Sequence, residues 1–385
     1  MRRLSLLLLP LLLAACASVE VREDPQRQLA DAAFEAPSTP VDAERIFALN
    51  PAMQAYAEGE LARRIKDRGL QKGLIGALAE RGHLQLAYDS AATRDAAATF
   101  EGRSGNCLSL VIMTAAFAKA LGLTVRYQSV DVEQTWTRNG GIYFSVGHVN
   151  LTLGRSLTSI LHGRVEVGRE TTIDFLPPSD LQGQRAQEIS EDRIVAMYLN
   201  NRAGEALAGG RVGDAYWWAR AAVLQDPTFL APYNTLGVVY RRHGNLAEAE
   251  RAFRTVLAYQ PENRLTLSNL AVVLEDQGRP SEAASVSARL ARLDPTPPFH
   301  YFERGLAALR AHDYFAARDA FQKEVDRDGE YHEFRFWLAV AFANLGQTDA
   351  ARRQLRIAME TSTSRRDLDL YAAKLARLQA AERQQ

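Results

Sequence analysis

The feature that most limits the fold is a period of 34 residues in the second half of the chain. Pro227, Pro261 and Pro295 stand on it, as do Gly210, Gly244, Gly278 and Gly346, with His312 in the slot between the last two. Ala215, Ala249, Ala283, Ala317 and Ala351 keep the same step. A fixed period of this length means one helical unit repeated, each copy burying its apolar face on the next. Small residues at Gly237 and Ala249 let two helices approach, a glycine ends the first helix, and a proline separates one unit from the next. The spacing predicts an all-α solenoid over residues 191–363, with about five units starting near Ala196. A polar capping helix is expected over 364–385.

The stretch "YNTLGVVYRRHGNLAEAERAFRTVLAYQP" carries Tyr233, Leu236, Gly237 and Tyr240, then Ala249, Phe253 and Pro261. That pattern resembles the tetratricopeptide repeat. Stacked helix pairs of this kind form a concave surface lined by the first helix of each unit, a usual seat for a protein or peptide segment. Asn200, Asn234, Arg241 and Arg242 fall on such helices and are the candidate partner-binding residues.

The first half is organised differently. From Val41 the pattern is helical, with Ile46, Leu49, Met53 and Tyr56 at three- and four-residue steps. After Cys107 comes an apolar helix, "LSLVIMTAAFAKALGL", and then period-two stretches. "VGHVNLTLG" puts Val149, Leu151 and Leu153 on one face and His148, Asn150 and Thr152 on the other, which reads as the polar, non-core side. "TTIDFLPP" is a third strand, stopped by two prolines. Helices feeding antiparallel strands predict an α+β domain over 41–190. "RNGGIY" reads as a hairpin turn, because no helix follows it to cradle a phosphate.

The N-terminus, "MRRLSLLLLPLLLAAC", has a basic start and an apolar core too short to span a bilayer, and reads as a signal peptide over 1–15. Leu13-Ala14-Ala15-Cys16 resembles a bacterial lipobox, which implies lipidation at Cys16. Ala17 follows where an aspartate would signal inner-membrane retention, so the resemblance implies a cell-envelope lipoprotein on the periplasmic face of the outer membrane. Residues 16–40 are polar and read as a tether. With Arg2 and Arg3 gone, 44 basic residues would face 46 acidic ones. Neither that balance nor any basic cluster suits nucleic acid.

Export makes Cys107 conspicuous. If Cys16 is lipidated, Cys107 has no intramolecular disulfide partner, and a free thiol in an oxidising compartment calls for a use. It opens its helix, after Ser104 and Gly105, where unpaired N–H groups and partial positive charge favour a thiolate. A nucleophilic thiol needs a base, and the base needs an acceptor to orient it. His148 on one strand and Asp174 on the next supply both in chain order, with His162 the rival base. The Cys107 N–H is the first candidate to stabilise an oxyanion and Trp136 the second. His83, His243, His300, His312 and His332 are scattered and show no metal-ligand spacing, so no metal or other cofactor is expected.

Gly105, Cys107, Leu121 with Gly122, His148 and Asp174 together resemble the transglutaminase-like superfamily of papain-type cysteine enzymes, over about residues 80–180. The resemblance implies a papain/transglutaminase-like fold and thiol acyl transfer on amide bonds, with peptidase or amidase chemistry ahead of cross-linking because water always competes. The alternative is a non-catalytic cell-envelope scaffold or binding protein on a degenerate fold of the same kind.

Overall fold

The computed structural model describes residues 24–79, 86–90, 92–139, 142–156, 170–175, 185–296, 299–362 and 364–382. The expected leader, Cys16, His83 and His162 lie outside them.

The first helix begins later than its periodicity suggests. A proline keeps the residue before it out of the α region, and α1 (Pro51–Tyr56) starts at Pro51, with the Asn50 side chain accepting the Met53 N–H. Ile46 is still buried, but it reaches the core from irregular chain. A wide turn over Ala57–Leu61 leads into α2 (Ala62–Arg68) and then α3 (Leu70–Ala79). Next, β1 (Ala87–Tyr88) pairs in parallel with β2 (Ser104–Gly105), with α4 (Ala96–Gly102) between them. The helix α5 (Cys107–Ala120) is buried from Cys107 to Ala118 and forms the spine of this unit. Long β3 (Leu123–Asn139) and β4 (Ile142–Ser156) form an antiparallel hairpin closing at Asn139↔Ile142. With β5 (Thr171–Ile173) and β6 (Ala186–Ile189) they make a sheet of order β5-β4-β3-β6, antiparallel throughout.

The second half is a succession of helix pairs. They are α6 (Glu191–Ala208) with α7 (Val212–Gln225), α8 (Ala231–His243) with α9 (Leu246–Tyr259), and α10 (Arg264–Asp276) with α11 (Pro280–Leu293). Then come α12 (His300–Arg310) with α13 (Tyr314–Arg327), α14 (His332–Asn344) with α15 (Thr348–Glu360), and the last helix α16 (Arg365–Glu382). The small residues do what their spacing implies. A Cβ on Gly237 would stand 2.4 Å from the Phe253 ring, and one on Gly305 would stand 2.5 Å from Phe321. Only glycine lets those rings seat against the facing helix.

Two features bind the halves together. The helix α6 belongs to both: Ile194, Val195, Tyr198 and Leu199 enter the core around α5, whereas Ala203, Ala206 and Leu207 enter the core of the first pairs. A chain boundary at 190/191 therefore cuts through a shared core. The second feature is the stretch expected as a tether. From Asp24 to Ser38 it is a strap laid on the repeats, and Phe34 stacks on Tyr216 with ring centroids 4.0 Å apart. Tyr216 Oη accepts the Ala30 N–H (2.8 Å), Tyr240 Oη donates to the Gln28 carbonyl (2.6 Å), and Gln28 Nε2 donates to Thr255 Oγ1 (3.0 Å). Trp217 Nε1 donates to the Glu35 carbonyl (2.6 Å), and Asp214 accepts both the Ser38 N–H (2.8 Å) and its hydroxyl (2.7 Å). Polar composition here supplies hydrogen bonds to distant helices.

Candidate functional site

The thiol is set by a capped helix start. Asn106 is the N-cap of α5, and its Oδ1 accepts the Ser109 N–H (2.9 Å) and the Ser109 hydroxyl (2.9 Å). Gly105 must be glycine for this turn to close, since a Cβ there would stand 2.7 Å from Ser109 Cβ. Cys107 is thus the first helical residue, where helix geometry leaves N–H groups without intrahelical partners. It is 6% exposed.

The base and its acceptor come from the sheet. His148 lies on β4 opposite Val130, where β3 carries a bulge between Val130 and Thr135. Bulges of this kind re-aim side chains beside functional sites. The pairing Leu151↔Ile173 brings Asp174, just past the end of β5, level with Asn150. His148 Nε2–H donates to Asp174 Oδ1 at 2.7 Å, and Asn150 Nδ2 donates to Asp174 Oδ2 at 2.8 Å. Both carboxylate oxygens are engaged, which fixes the acid as well as the ring.

The polar face of β4 is buried as well as the apolar one. His148 is 2% exposed, with Asn150 and Thr152 close behind. The cost of burying polar groups is offset by pairing them with β5, as Asn150 pairs with Asp174 and Thr152 Oγ1 with Thr172 Oγ1 (2.8 Å).

Among the described residues no group makes a regular hydrogen bond to His148 Nδ1. The Cys107 sulfur nonetheless lies close enough to raise the ring's pKa. Burial opposes the charged ring, but the hydrogen bond to Asp174, and after it the Cys107 sulfur, outweigh burial and raise the pKa to about 9. A thiol, an imidazole anchored through one nitrogen, and the fixed carboxylate that anchors it are the groups needed to pass a proton between sulfur and a leaving group.

Two neighbours carry signals that the sequence reading passed over. Asn106, a polar cap residue directly before an apolar run, is an ordinary helix-start signal. Tyr88 pairs with Gly105 across the short parallel ladder; it is 39% exposed as a residue, yet desolvation of its hydroxyl, with Cys107 and Asp89 beside it, pushes that pKa upward. Behind it Arg94 pairs with Asp89 (2.9 Å) and donates to the Ser104 carbonyl (2.9 Å). The side chain of Trp136 is outside the described residues.

The four candidate partner-binding residues separate into two groups. Asn234 Oδ1 accepts from Thr266 Oγ1 (3.1 Å) and Asn269 Nδ2 (3.2 Å), and Arg241 Nε pairs with Asp276 (2.7 Å). These two side chains join α8 to α10 and so serve the stacking of the units. Arg242 is exposed, and the Oδ1 of half-buried Asn200 makes no hydrogen bond among the described residues. Also among the described residues, no three His, Cys, Asp or Glu gather as a metal site, and no helix is long and apolar enough to cross a membrane.

Residues 234–298 and 302–362 match the family model for the tetratricopeptide repeat. The helix pairs from α8 to α15 are tetratricopeptide repeats. Similar solved structures include a thermophilic tetratricopeptide protein of Thermus thermophilus, at 21% identity over 47% of this chain and 99% of that one, TM-score 0.32. Another is YrrB, described as having an unusual peptide-binding site, at 20% identity over 47% of this chain and 92% of that one, TM-score 0.25. A third, from Parabacteroides merdae, is 23% identical over 48% of this chain and 76% of that one, TM-score 0.26. No curated protein matches the chain. The tetratricopeptide assignment rests on the family-model match and on the Gly237–Phe253 and Gly305–Phe321 packing.

Proposed function

We propose that this chain is a partner-binding repeat protein whose N-terminal unit carries a thiol acyl-transfer site. The first half of that reading has the more direct support, from the tetratricopeptide match. Arrays of this kind present a concave face to a protein or peptide segment, and Asn200 and Arg242 are the side chains not committed to stacking. A peptide array probed with the full chain tests it. Specific spots that weaken with Arg242→Glu support the reading, and an array with no spots above background sinks it.

The second half is carried by one observation, the His148–Asp174 hydrogen bond beside Cys107. In this reading His148 already holds the thiol's proton on Nδ1, in keeping with its raised pKa, the Cys107 thiolate attacks an amide carbonyl, and Asp174 steadies Nε2–H. The S–C bond forms, the C–N bond breaks, and the amine leaves with the proton from Nδ1. Water, or a second amine, then attacks the thioester and regenerates the thiol. The transglutaminase-like resemblance agrees with this order of residues. The test is iodoacetamide alkylation of Cys107 against pH, in wild type and His148→Ala. A fast reaction at neutral pH that slows in the variant supports the site; two coincident curves like that of a free thiol leave the scaffold reading.

Anchoring completes the proposal: cleavage before Cys16 and acylation there would hold the chain at the cell envelope. One acyl chain gives only marginal attachment, so stable anchoring takes more than one. Cys16→Ala is expected to release the protein from membranes, and a variant still bound after a salt wash would refute the anchor.

A further inference from the structure

We propose that the first repeat helix, α6, positions the thiol, acting on Cys107 through Thr93 and Asn106; the inference rests on the thiol-site reading above.

Thr93 is 2% exposed and lies in the connection between β1 and α4. From one side, Asn106 Nδ2 donates to Thr93 Oγ1 at 2.9 Å. From the other, three residues of α6 converge on the same threonine. Asn201 Nδ2 donates to its Oγ1 (3.2 Å), Glu205 Oε1 accepts its N–H (2.6 Å), and Arg202 Nη1 reaches its carbonyl (3.4 Å). Arg202 also holds Glu205 Oε2 at 2.8 Å. Asn201 and Glu205 are one helical turn apart and share a face of α6.

On the thiol side, Asn106 has no slack. Its amide nitrogen is held by Thr93 and its oxygen by both polar groups of Ser109, whose Oγ also accepts the Arg94 N–H at 2.9 Å. Turning the Asn106 side chain breaks these bonds together, and it is the residue directly before Cys107. Apolar packing between α6 and α5 would hold the two helices near each other without fixing a rotation about either axis. The directional bonds through Thr93 fix it, and with it the aim of the first turn of α5 relative to the imidazole.

Among the described residues, the charged and titratable groups around the sulfur are His148 from β4 and Tyr88 from β1, with Asp174 paired to His148 and the Asp89–Arg94 pair next to Tyr88. None of them lies on α6. Its effect on Cys107 therefore runs through geometry, not through a charge facing the sulfur. A partner seated on the first repeat would bear on the helix that holds this link.

The test uses the full chain and follows iodoacetamide alkylation at the Cys107 peptide against pH. Thr93→Val keeps the shape and removes the hydroxyl, so it frees Asn106 and Asn201 while leaving the backbone bonds to Glu205 and Arg202. It is expected to lower the neutral-pH rate at least threefold. Thr93→Ser, which restores the hydroxyl, is expected to stay within twofold of wild type. Glu205→Gln, altered on the repeat side, is expected to slow the reaction in the same direction and decides the matter if the valine variant does not fold. A Thr93→Val curve that overlies wild type, while His148→Ala shifts it, overturns the role of α6 and leaves the thiol site standing. Coincident wild-type and His148→Ala curves overturn both.

Discussion

Asp174→Asn separates a working imidazole from a merely buried one. The His148 ring stands at about 9 in the fold against an ordinary 6.5. That difference corresponds to about 3 kcal/mol of preference for the charged ring, an order-of-magnitude figure. Little of it is screened, because the two side chains are 3% and 12% exposed. A histidine whose folded pKa is raised contributes stability that is complete below pH 6.5 and is lost as pH rises through about 9. The bond to Asp174 comes first among the causes that raise it, so asparagine is expected to remove on the order of 2 kcal/mol at pH 6. Asparagine also has only one oxygen for two donors, and either His148 or Asn150 loses its acceptor. Urea unfolding at pH 6 and pH 10 measures the loss. It is expected to be about 2 kcal/mol larger at the lower pH than at the higher, where the ring is neutral in either protein and only the lost acceptor counts. An NMR titration of the imidazole is expected to move down toward the ordinary range in the variant. A loss equal at both pH values, with the ring titrating alike in both proteins, would refute the assignment of Asp174 as the group that charges His148.

Further expectations concern the repeats and the strap. Gly237→Ala forces a Cβ into the Phe253 ring. It should destabilise by about 1–3 kcal/mol, whereas Gly213→Ala, with nothing within 4 Å, should stabilise by up to about 1 kcal/mol; thermal melts that move the same way would contradict the packing. Phe34→Ala removes the stack on Tyr216 and should cost the docked strap about 3 kcal/mol. Hydrogen exchange at the Ala30 N–H reads this directly, and unchanged protection would contradict the docking. Glu324→Ala leaves the Tyr301 and Phe302 N–H groups without their acceptor and should cost about 1–3 kcal/mol, seen in the urea midpoint.

What could be read from the residues depended on how far apart the interacting partners lie. The repeat pairs were legible because Gly237 meets Phe253 within a single unit, so contact and period coincide. The α5 spine was legible because twelve consecutive buried residues leave a continuous apolar run. The strap was not, since Ala30 and Tyr216 are 186 residues apart and no local pattern in "EDPQRQ" records that pairing. The burial of His148, Asn150 and Thr152 was not legible for a related reason. Alternation distinguishes polar from apolar faces, but burial of the polar one was decided by Asp174 and Thr172 on another strand. Cys107, His148 and Asp174 were nameable singly. The sequence reading took no account of Asn106 and Thr93, because a cap and a buried hydroxyl look ordinary until α6 is laid against them.

The strap has a mechanical consequence. Ser38 is fastened to Asp214 on α7, and the chain rejoins the same helix pair at Glu191, where α6 begins. The intervening residues thus form a closed loop with both ends pinned to one hairpin. Tension applied to the chain ahead of Asp24 loads the strap's hydrogen bonds along the repeats before any force reaches residue 41. While the strap holds, pinned ends also remove freedom from the loop should it unfold, on the order of 4 kcal/mol for a closure of roughly 150 residues. Tearing the strap away would therefore loosen a unit it barely touches.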